Sequence, residues 1–106
     1  MYKVVEFETA DGKSPFTKWL LKLPKAVSVR IQARLYRFES GLLGDYKRLG
    51  QGLFEARIHF GSGYRVYFGI EGQELIVLLI GGDKGSQKQD IKKAKEYWQY
   101  WKKEGL

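Results

Sequence analysis

Two neighbouring segments of the sequence place basic or aromatic side chains at every second residue. Arg57 and His59 alternate with apolar residues in the first segment, and Arg65 and Tyr67 do so in the second. Guanidinium groups bind phosphate through paired hydrogen bonds, and cations around phosphorus stabilise the charge that develops when a hydroxyl attacks it. Histidine adds a group that exchanges protons near neutral pH. These residue types would suit cleavage of RNA, whose own ribose 2′-OH can act as the nucleophile without a metal ion.

Further basic residues flank these two segments. Lys84 follows the next apolar stretch, and Lys47 and Arg48 precede the first segment. Two stripes of cations at helical spacing could contact backbone phosphates. They are Arg30, Arg34 and Arg37, and Lys88, Lys92 and Lys95. All of these residues also have a plainer interpretation, because antiparallel strands and surface helices expose polar side chains to water by default.

Composition limits the other possibilities. The chain has 106 residues, 43% of them hydrophobic, which is enough for a single domain with a core, predicted as residues 1–106. It has no Cys and one His, so we expect no disulfide, no metal site and no cofactor. Its formal net charge of +7 favours a polyanionic partner. Because we find neither a membrane-spanning run nor a signal peptide in the sequence, we expect a cytoplasmic protein without a membrane partner.

The first half of the sequence predicts a strand and two helices that would support the basic segments. Residues 2–8 are rich in β-forming side chains and predict the strand. Ser14 followed by Pro15 is typical of an N-cap and a first helical residue. Pro24 begins a longer helix, for which Gly41 is a suitable C-cap. The predicted apolar face of that helix comprises Val27, Ile31, Leu35, Phe38 and Leu42.

The second half predicts a mainly antiparallel sheet and a final helix. Its strands are predicted at residues 46–49, 53–60, 64–70 and 75–80, and the last is entirely apolar, which favours a strand covered on both faces. Ser86 and Gln89 form a capping-box pair at the start of the helix. Its predicted apolar face comprises Ile91, Ala94, Trp98 and Trp101. The order of elements predicts the α+β class, with an N-terminal strand and two helices packed on the sheet.

The strand register decides which of these side chains meet. A three-residue loop at 61–63 would pair even-numbered with even-numbered residues, setting Arg57 opposite Tyr67 and His59 opposite Arg65. A two-residue turn at 72–73 would fix the last strand, and Lys84 would emerge at the rim of the cationic face. That turn would put Val77 and Leu79 on the core face with Val66 and Phe68, and Leu78 and Ile80 beside Arg65 and Tyr67.

Three motifs at characteristic separations resemble those of a known family. They are Leu-Phe-Glu-Ala-Arg-Ile at 53–58, Gly-Tyr-Arg-Val-Tyr-Phe at 63–68, and Gly-Asp-Lys-x-x-Gln-x-x-Asp-Ile-x-x-Ala at 82–94. The chain resembles the RelE/HigB superfamily of addiction-module toxins, and within it the phage Gp49-like HigB branch. The resemblance runs from about residue 2 to residue 101. It implies a RelE-type domain that cleaves mRNA in the ribosomal A site, arresting translation until a cognate antitoxin neutralises it.

The resemblance also implies roles for individual residues. Arg65 matches the family's arginine in the Gly-Tyr-Arg motif and is expected to grip the scissile phosphate. Arg57 occupies a strand position where relatives carry a basic catalytic side chain, and Lys84 falls where relatives carry Arg or Lys after the last strand. His59 lies at a position that is basic in some members. Relatives have a tyrosine or histidine near the start of the C-terminal segment, where this chain reads Gln-Lys-Gln-Asp-Ile at 87–91. The general base is therefore open among Asp90, His59 and Tyr67.

The sequence thus favours the toxin of a type II toxin–antitoxin pair, acting as a ribosome-dependent mRNA endoribonuclease. Its expected partners are mRNA on the ribosome and a cognate antitoxin, a small helix-turn-helix protein from the adjacent gene. Operator DNA would be reached only through the antitoxin complex. Lys47, Arg48, Lys88 and Lys92 are the expected RNA-binding residues outside the catalytic group. The alternative is a non-catalytic RNA- or ribosome-binding module, or a DNA-bound partner of an antitoxin repressor.

Overall fold

The computed structural model describes residues 1–104, in which three α-helices and two short 3₁₀ turns surround five strands. The 3₁₀ turns lie at Arg37–Ser40 and Lys84–Ser86. In chain order the other elements are β1 (Lys3–Glu6), α1 (Pro15–Leu20), α2 (Lys25–Tyr36), β2 (Tyr46–Gly50), β3 (Leu53–Ile58), β4 (Tyr64–Glu71), β5 (Leu75–Asp83) and α3 (Gln87–Glu104).

The strands form one open sheet in the order β1-β5-β4-β3-β2. The three junctions among β2 to β5 are antiparallel, and β1 pairs in parallel with β5 at the far edge. A parallel neighbour needs a crossover connection, and α1 and α2 lie in the segment that separates β1 from the rest of the sheet. The predicted α+β class, with its mainly antiparallel sheet, is confirmed.

Each face of the sheet carries its own core. One face packs against α1 and α2, whose buried residues include Phe16, Val27 and Ile31. The other face packs against α3 through Ala94 and Trp98. The helical spacing of these residues predicted this burial, and β5 is covered on both sides as its apolar run indicated. Among residues 1–104, no helix is long and apolar enough to cross a membrane.

Close approach of the helices depends on two glycines in the sheet. A Cβ atom at Gly69 would lie 2.4 Å from the ring of Trp98, and one at Gly81 would lie 2.2 Å from the ring of Trp19. Contacts that short do not occur between carbon atoms, so neither position can hold a side chain unless a tryptophan moves. Both tryptophans therefore pack directly against the backbone of a strand, and they lie on opposite faces of the sheet.

Two of the predicted capping residues, Ser14 and Gly41, are confirmed, whereas two other predictions about the helices are wrong. The Ser14 hydroxyl accepts a hydrogen bond from the Thr17 amide, and Gly41 adopts a left-handed conformation at φ 80° where the helical segment ends. Leu42, which lies beyond that glycine, is 61% exposed, so its predicted place on the apolar face is wrong. At α3 the predicted capping box is also wrong, because the Asp83 carboxylate caps the preceding 3₁₀ turn instead.

The register between β3 and β4 differs from the prediction by two residues. The loop between them runs from residue 59 to residue 63, so Ile58 pairs with Tyr64 and Arg57 pairs with Arg65. A shift of two preserves the face on which each side chain lies. The predicted cationic face is therefore correct, whereas the predicted pairings of Arg57 with Tyr67 and of His59 with Arg65 are wrong.

A different turn and a bulge also change the predicted facing of β5. Three residues, 72–74, connect β4 to β5, and the register shifts again between Tyr67 and Phe68. Because a one-residue difference moves side chains to the opposite face, Leu78 lies in the core beneath α1 and α2 while Val77 and Leu79 lie beneath α3. The bulge restores the predicted facing for Ile80, which pairs with Tyr67.

Candidate active site

The cationic residues converge on a cleft at one end of the β3–β4 hairpin. The cleft has a volume of about 330 Å³ and is lined by Arg57, His59, Arg65, Lys84 and residues of the 59–63 loop. Arg57 and Arg65 reach it as a cross-strand pair. Lys84 reaches it because the preceding residue of β5 pairs with Tyr64, at the end of β4 nearest the loop. Four of the residues predicted for catalysis thus share one cleft.

Behind the two arginines lies a carboxylate that sequence reasoning missed. Glu55 is 0% exposed, and Oε1 accepts a hydrogen bond from Arg57 Nε at 3.1 Å. Its Oε2 accepts from the Tyr67 hydroxyl at 3.1 Å and from Gln87 Nε2 at 2.9 Å. Arg65 Nε lies 3.6 Å from the same Oε2, as an ion pair. One buried acid therefore contacts residues of β3, β4 and α3 at once.

The surroundings of Glu55 keep it charged. Burial alone would raise its pKa, but the hydrogen bonds from Gln87, Arg57 and Tyr67 and the charge on Arg65 together lower the pKa below the ordinary glutamate value. A carboxylate in this position offsets the repulsion between two arginines that face each other directly. Glu55 does not line the cleft, so the charged side chains that a ligand would meet there are those of the cations.

Arg65 is held more deeply than Arg57. Its side chain is 14% exposed and that of Arg57 is 34% exposed. The buried Nε of Arg65 has no hydrogen-bond partner within residues 1–104, because its distance to Glu55 is too long for a hydrogen bond. The guanidinium is therefore positioned by charge and packing, and Arg65 lines the cleft.

His59 is paired with an acid of the preceding loop. Its Nε2 lies 2.6 Å from Oδ2 of Asp45, and this hydrogen bond lowers the pKa of Asp45. With Nε2–H donating to that carboxylate, Nδ1 of the neutral ring carries the lone pair and can accept a proton. The Asp45 carbonyl also accepts a hydrogen bond from the Arg57 backbone amide at 2.9 Å, so the same residue contacts the His59 side chain and the Arg57 backbone.

Arg34 secures this loop and does not form part of a free cationic stripe. Its guanidinium donates to the backbone carbonyls of Leu43 at 2.9 Å, Arg57 at 2.6 Å and Asp45 at 2.5 Å. Gly44 lies directly beneath it, where a Cβ atom would be 2.5 Å from Arg34 Nε. Burial of the guanidinium lowers the pKa of Arg34. Arg34 thus ties α2 to the strand that carries Arg57.

The other candidate bases lie away from the cleft wall. Tyr67 is 0% exposed, and burial beside Glu55 raises the pKa of its hydroxyl. Asp90 is buried at the start of α3, where it accepts a hydrogen bond from the Ser86 hydroxyl at 2.5 Å. Only His59 of the three lines the cleft.

The remaining predicted RNA-binding residues lie on two exposed surfaces outside the cleft. Lys47 and Arg48 lie on the edge strand β2, and Lys88 and Lys92 lie on α3 with Lys95. Nowhere in residues 1–104 do three His, Asp or Glu side chains come close enough together to hold a metal ion. The charged and titratable side chains that line the cleft are Arg57, Arg65, Lys84, Tyr64 and His59.

These features define the class of protein: an α+β domain with a RelE-like arrangement of sheet and helices. The sequence model of the family described as Phage derived protein Gp49-like (DUF891) matches residues 18–99. An uncharacterized protein of Haemophilus influenzae is 46% identical over 81 residues, which cover 76% of this chain and 82% of that protein. The chain belongs to the Gp49-like family, a branch of the RelE/HigB-like toxins. Membership implies a toxin that is paired with an antitoxin.

Proposed function

We propose that this protein is a ribosome-dependent endoribonuclease that cleaves mRNA and so inhibits translation. The observation that supports this most is the cleft in which Arg57, Arg65 and Lys84 meet around a space of about 330 Å³. A phosphodiester is the ligand whose charge and geometry match such a set of donors. Glu55, the acid that orients the arginines, is buried and leaves the cleft itself cationic.

The reaction requires no group beyond the substrate and these side chains. The ribose 2′-oxygen forms a bond to phosphorus while the bond from phosphorus to the 5′-oxygen breaks, giving a 2′,3′-cyclic phosphate and a 5′-hydroxyl end. Negative charge on the phosphoryl oxygens grows in the transition state, where Arg57, Arg65 and Lys84 stabilise it. One proton leaves the 2′-hydroxyl and one is delivered to the departing 5′-oxygen.

His59 is the proton acceptor that the geometry favours. It lines the cleft, and its hydrogen bond to Asp45 leaves Nδ1 available for the 2′-hydroxyl proton. The burial of Tyr67 and Asp90 makes either of them a poorer acceptor. Lys84, at the rim, is placed to donate to the leaving oxygen.

The partners follow from the family and the charge distribution. The exposed cations Lys47, Arg48, Lys88 and Lys92 would contact the RNA backbone on the ribosome. The antitoxin would be a small helix-turn-helix protein from the adjacent gene, and operator DNA would be bound only through the complex of the two. The proposed function implies a cytoplasmic protein, because ribosomes and mRNA are found there.

The test is expression of the chain with and without the product of the adjacent gene, followed by growth and by the 5′ ends of mRNA. We expect growth arrest with new 5′-hydroxyl ends within open reading frames, both suppressed by the second protein. Growth arrest with intact mRNA would instead support a non-catalytic ribosome-binding module and overturn the endoribonuclease proposal.

A further inference from the structure

The outward face of α2 carries an apolar stripe that no part of the described chain covers. Ala26, Val29, Ala33 and Tyr36 recur at intervals of three, four and three residues and are all exposed, Val29 by 54% and Tyr36 by 77%. The opposite face of α2 is already buried against the sheet. Spacing of this kind places side chains along one seam of a helix, which is the pattern by which two helices pack together.

The stripe continues into a groove beside the candidate active site. Val29, Ala33, Arg30 and Arg37 form one wall of this groove, and residues 57–60 form the other, including Arg57 and His59 of the cleft. Arg30 lies over the ring of Phe60 at 4.2 Å from its centroid, which joins the two walls. A partner seated in the groove would therefore cover residues that also line the cleft.

The charges beside the stripe restrict what can occupy it. Lys25, Arg30 and Arg37 flank it, and α2 contains no acidic residue. Asp45 is the one acid among the described residues that line the groove, and its carboxylate is paired with His59. A second copy of this chain would bring like charges together, which is unfavourable. RNA would match the cations but would gain nothing from Val29 and Ala33. A helix with an apolar seam bordered by Asp or Glu matches both features.

We infer that this stripe and groove, made of the outward face of α2 and residues 57–60, form the docking surface for an acidic amphipathic helix of the antitoxin. The inference rests on the proposed function, because it takes the antitoxin as the partner. Docking there explains neutralisation by occlusion, since the bound helix would cover Arg57 and His59 and exclude RNA from the cleft.

The test uses the purified product of the adjacent gene as the probe. Val29→Glu and Ala33→Glu each place a negative charge in the stripe, at exposed positions where folding is retained, as thermal melting will verify. We expect each to weaken binding of the probe in calorimetry by about 100-fold or more, because like charges across an interface are costly. Leu21→Glu is the matched control, since Leu21 is 79% exposed on the chain just after α1 and should leave binding unchanged.

Growth assays separate this inference from the proposed function. The two stripe variants should still arrest growth when expressed alone, but the probe should no longer rescue the cells. Binding or rescue equal to that of the wild type would overturn the docking surface, as would a wild-type chain that does not bind the probe. Loss of ribosome binding with unchanged affinity for the probe would assign the surface to RNA and also overturn it. Binding of the probe that is lost in the stripe variants, in a protein that does not cleave mRNA, would support the docking surface and refute the endoribonuclease proposal.

Discussion

Arg57 and Arg65 lie directly opposite each other on β3 and β4, and Glu55 is the acid that both contact. Two like charges in this position destabilise a strand pair unless a counter-charge lies between them. The arginine pair of the cleft therefore depends on a carboxylate that does not itself line the cleft.

Replacing Glu55 with glutamine should impair both stability and catalysis. The amide removes the counter-charge of two arginines and presents a donor where Tyr67 and Gln87 already donate. Breaking one partner of a buried ion pair costs on the order of 3–5 kcal/mol, which denaturant titration will measure. We also expect slower mRNA cleavage by the fraction that remains folded. Glu74→Gln, at an exposed site, is the control; two variants with equal stability and equal rate would refute the role of Glu55.

The lowered pKa of Glu55 predicts a specific acid sensitivity. Since this carboxyl is protonated at a lower pH in the folded state than in the unfolded chain, its stabilisation is complete above the ordinary value of 4.5 and is lost as pH falls through the folded pKa. The free energy of unfolding of the wild type should therefore fall more steeply than that of Glu55→Gln on acidification. The pKa of Asp45 is lowered in both proteins, so its contribution to the pH dependence cancels in the comparison. Parallel pH profiles would contradict the prediction.

Arg65→Ala should abolish growth arrest. Removing one positioned charge stabiliser typically costs on the order of 10²–10³ in rate, and Arg65 is the more buried of the two arginines. Lys84→Ala should give a smaller but clear loss, because Lys84 lies at the rim of the cleft. Single-turnover cleavage on programmed ribosomes measures both. Lys103→Ala, exposed near the end of α3, should match the wild type. A folded Arg65→Ala protein with full activity would remove Arg65 from the site.

Naked mRNA should be a poor substrate. The cleft offers one imidazole beside Arg and Lys side chains, which are residue types poorly suited to proton transfer near neutral pH, so proton transfer is the weak part of its chemistry. The ribosome would supply alignment of the 2′-hydroxyl with phosphorus, an orientation effect worth ~7–11 kcal/mol in favourable cases. Cleavage rates with and without ribosomes, at equal protein and with chelator present, test this. Rapid cutting of free mRNA at nanomolar protein would contradict it.

Reversing the charges of Lys88 and Lys92 should weaken ribosome association without altering which sites are cut. Both lie exposed on α3, away from the cleft, where contacts to phosphate would position the protein but carry no base information. Association of the wild type should fall steeply with salt, and that of the double variant less steeply. Co-sedimentation across a salt series provides the measurement. Overlapping curves would show that these lysines only face solvent.

The sequence predicted the cationic face but not the means by which it is held. Side-chain alternation fixes the face, so a two-residue error in register still placed Arg57 and Arg65 together. Glu55 has the same alternation, which does not distinguish a buried acid from a solvent-facing one. Its burial depends on Gln87, which α3 brings from 32 positions along the chain, and no local pattern encodes that contact. At the correct register, two facing arginines would have pointed to a nearby acid.

The sequence pattern also could not predict the contacts of the 41–45 loop. The spacing of Arg34 matches a cationic stripe, yet its guanidinium binds three backbone carbonyls, because the 41–45 segment folds back over α2. The predicted facing of the β5 side chains was wrong for a related reason. The bulge opposite Tyr67 and Phe68 inserts one extra residue, Leu79, into β5, and alternation alone cannot locate it.

The hydrogen bond from Gln87 to Glu55 can form only late in synthesis of the chain, because Gln87 follows all five strands in the sequence. Chains are made from the N-terminus, and α3 follows all five strands. Until α3 has emerged and Trp98 has settled on Gly69, the buried acid lacks one of its donors and the outer face of the sheet lies open. An unfinished copy therefore has incomplete support for its arginine pair. Under the proposed function, we expect such a copy to be inactive, which would spare the ribosome that is translating it.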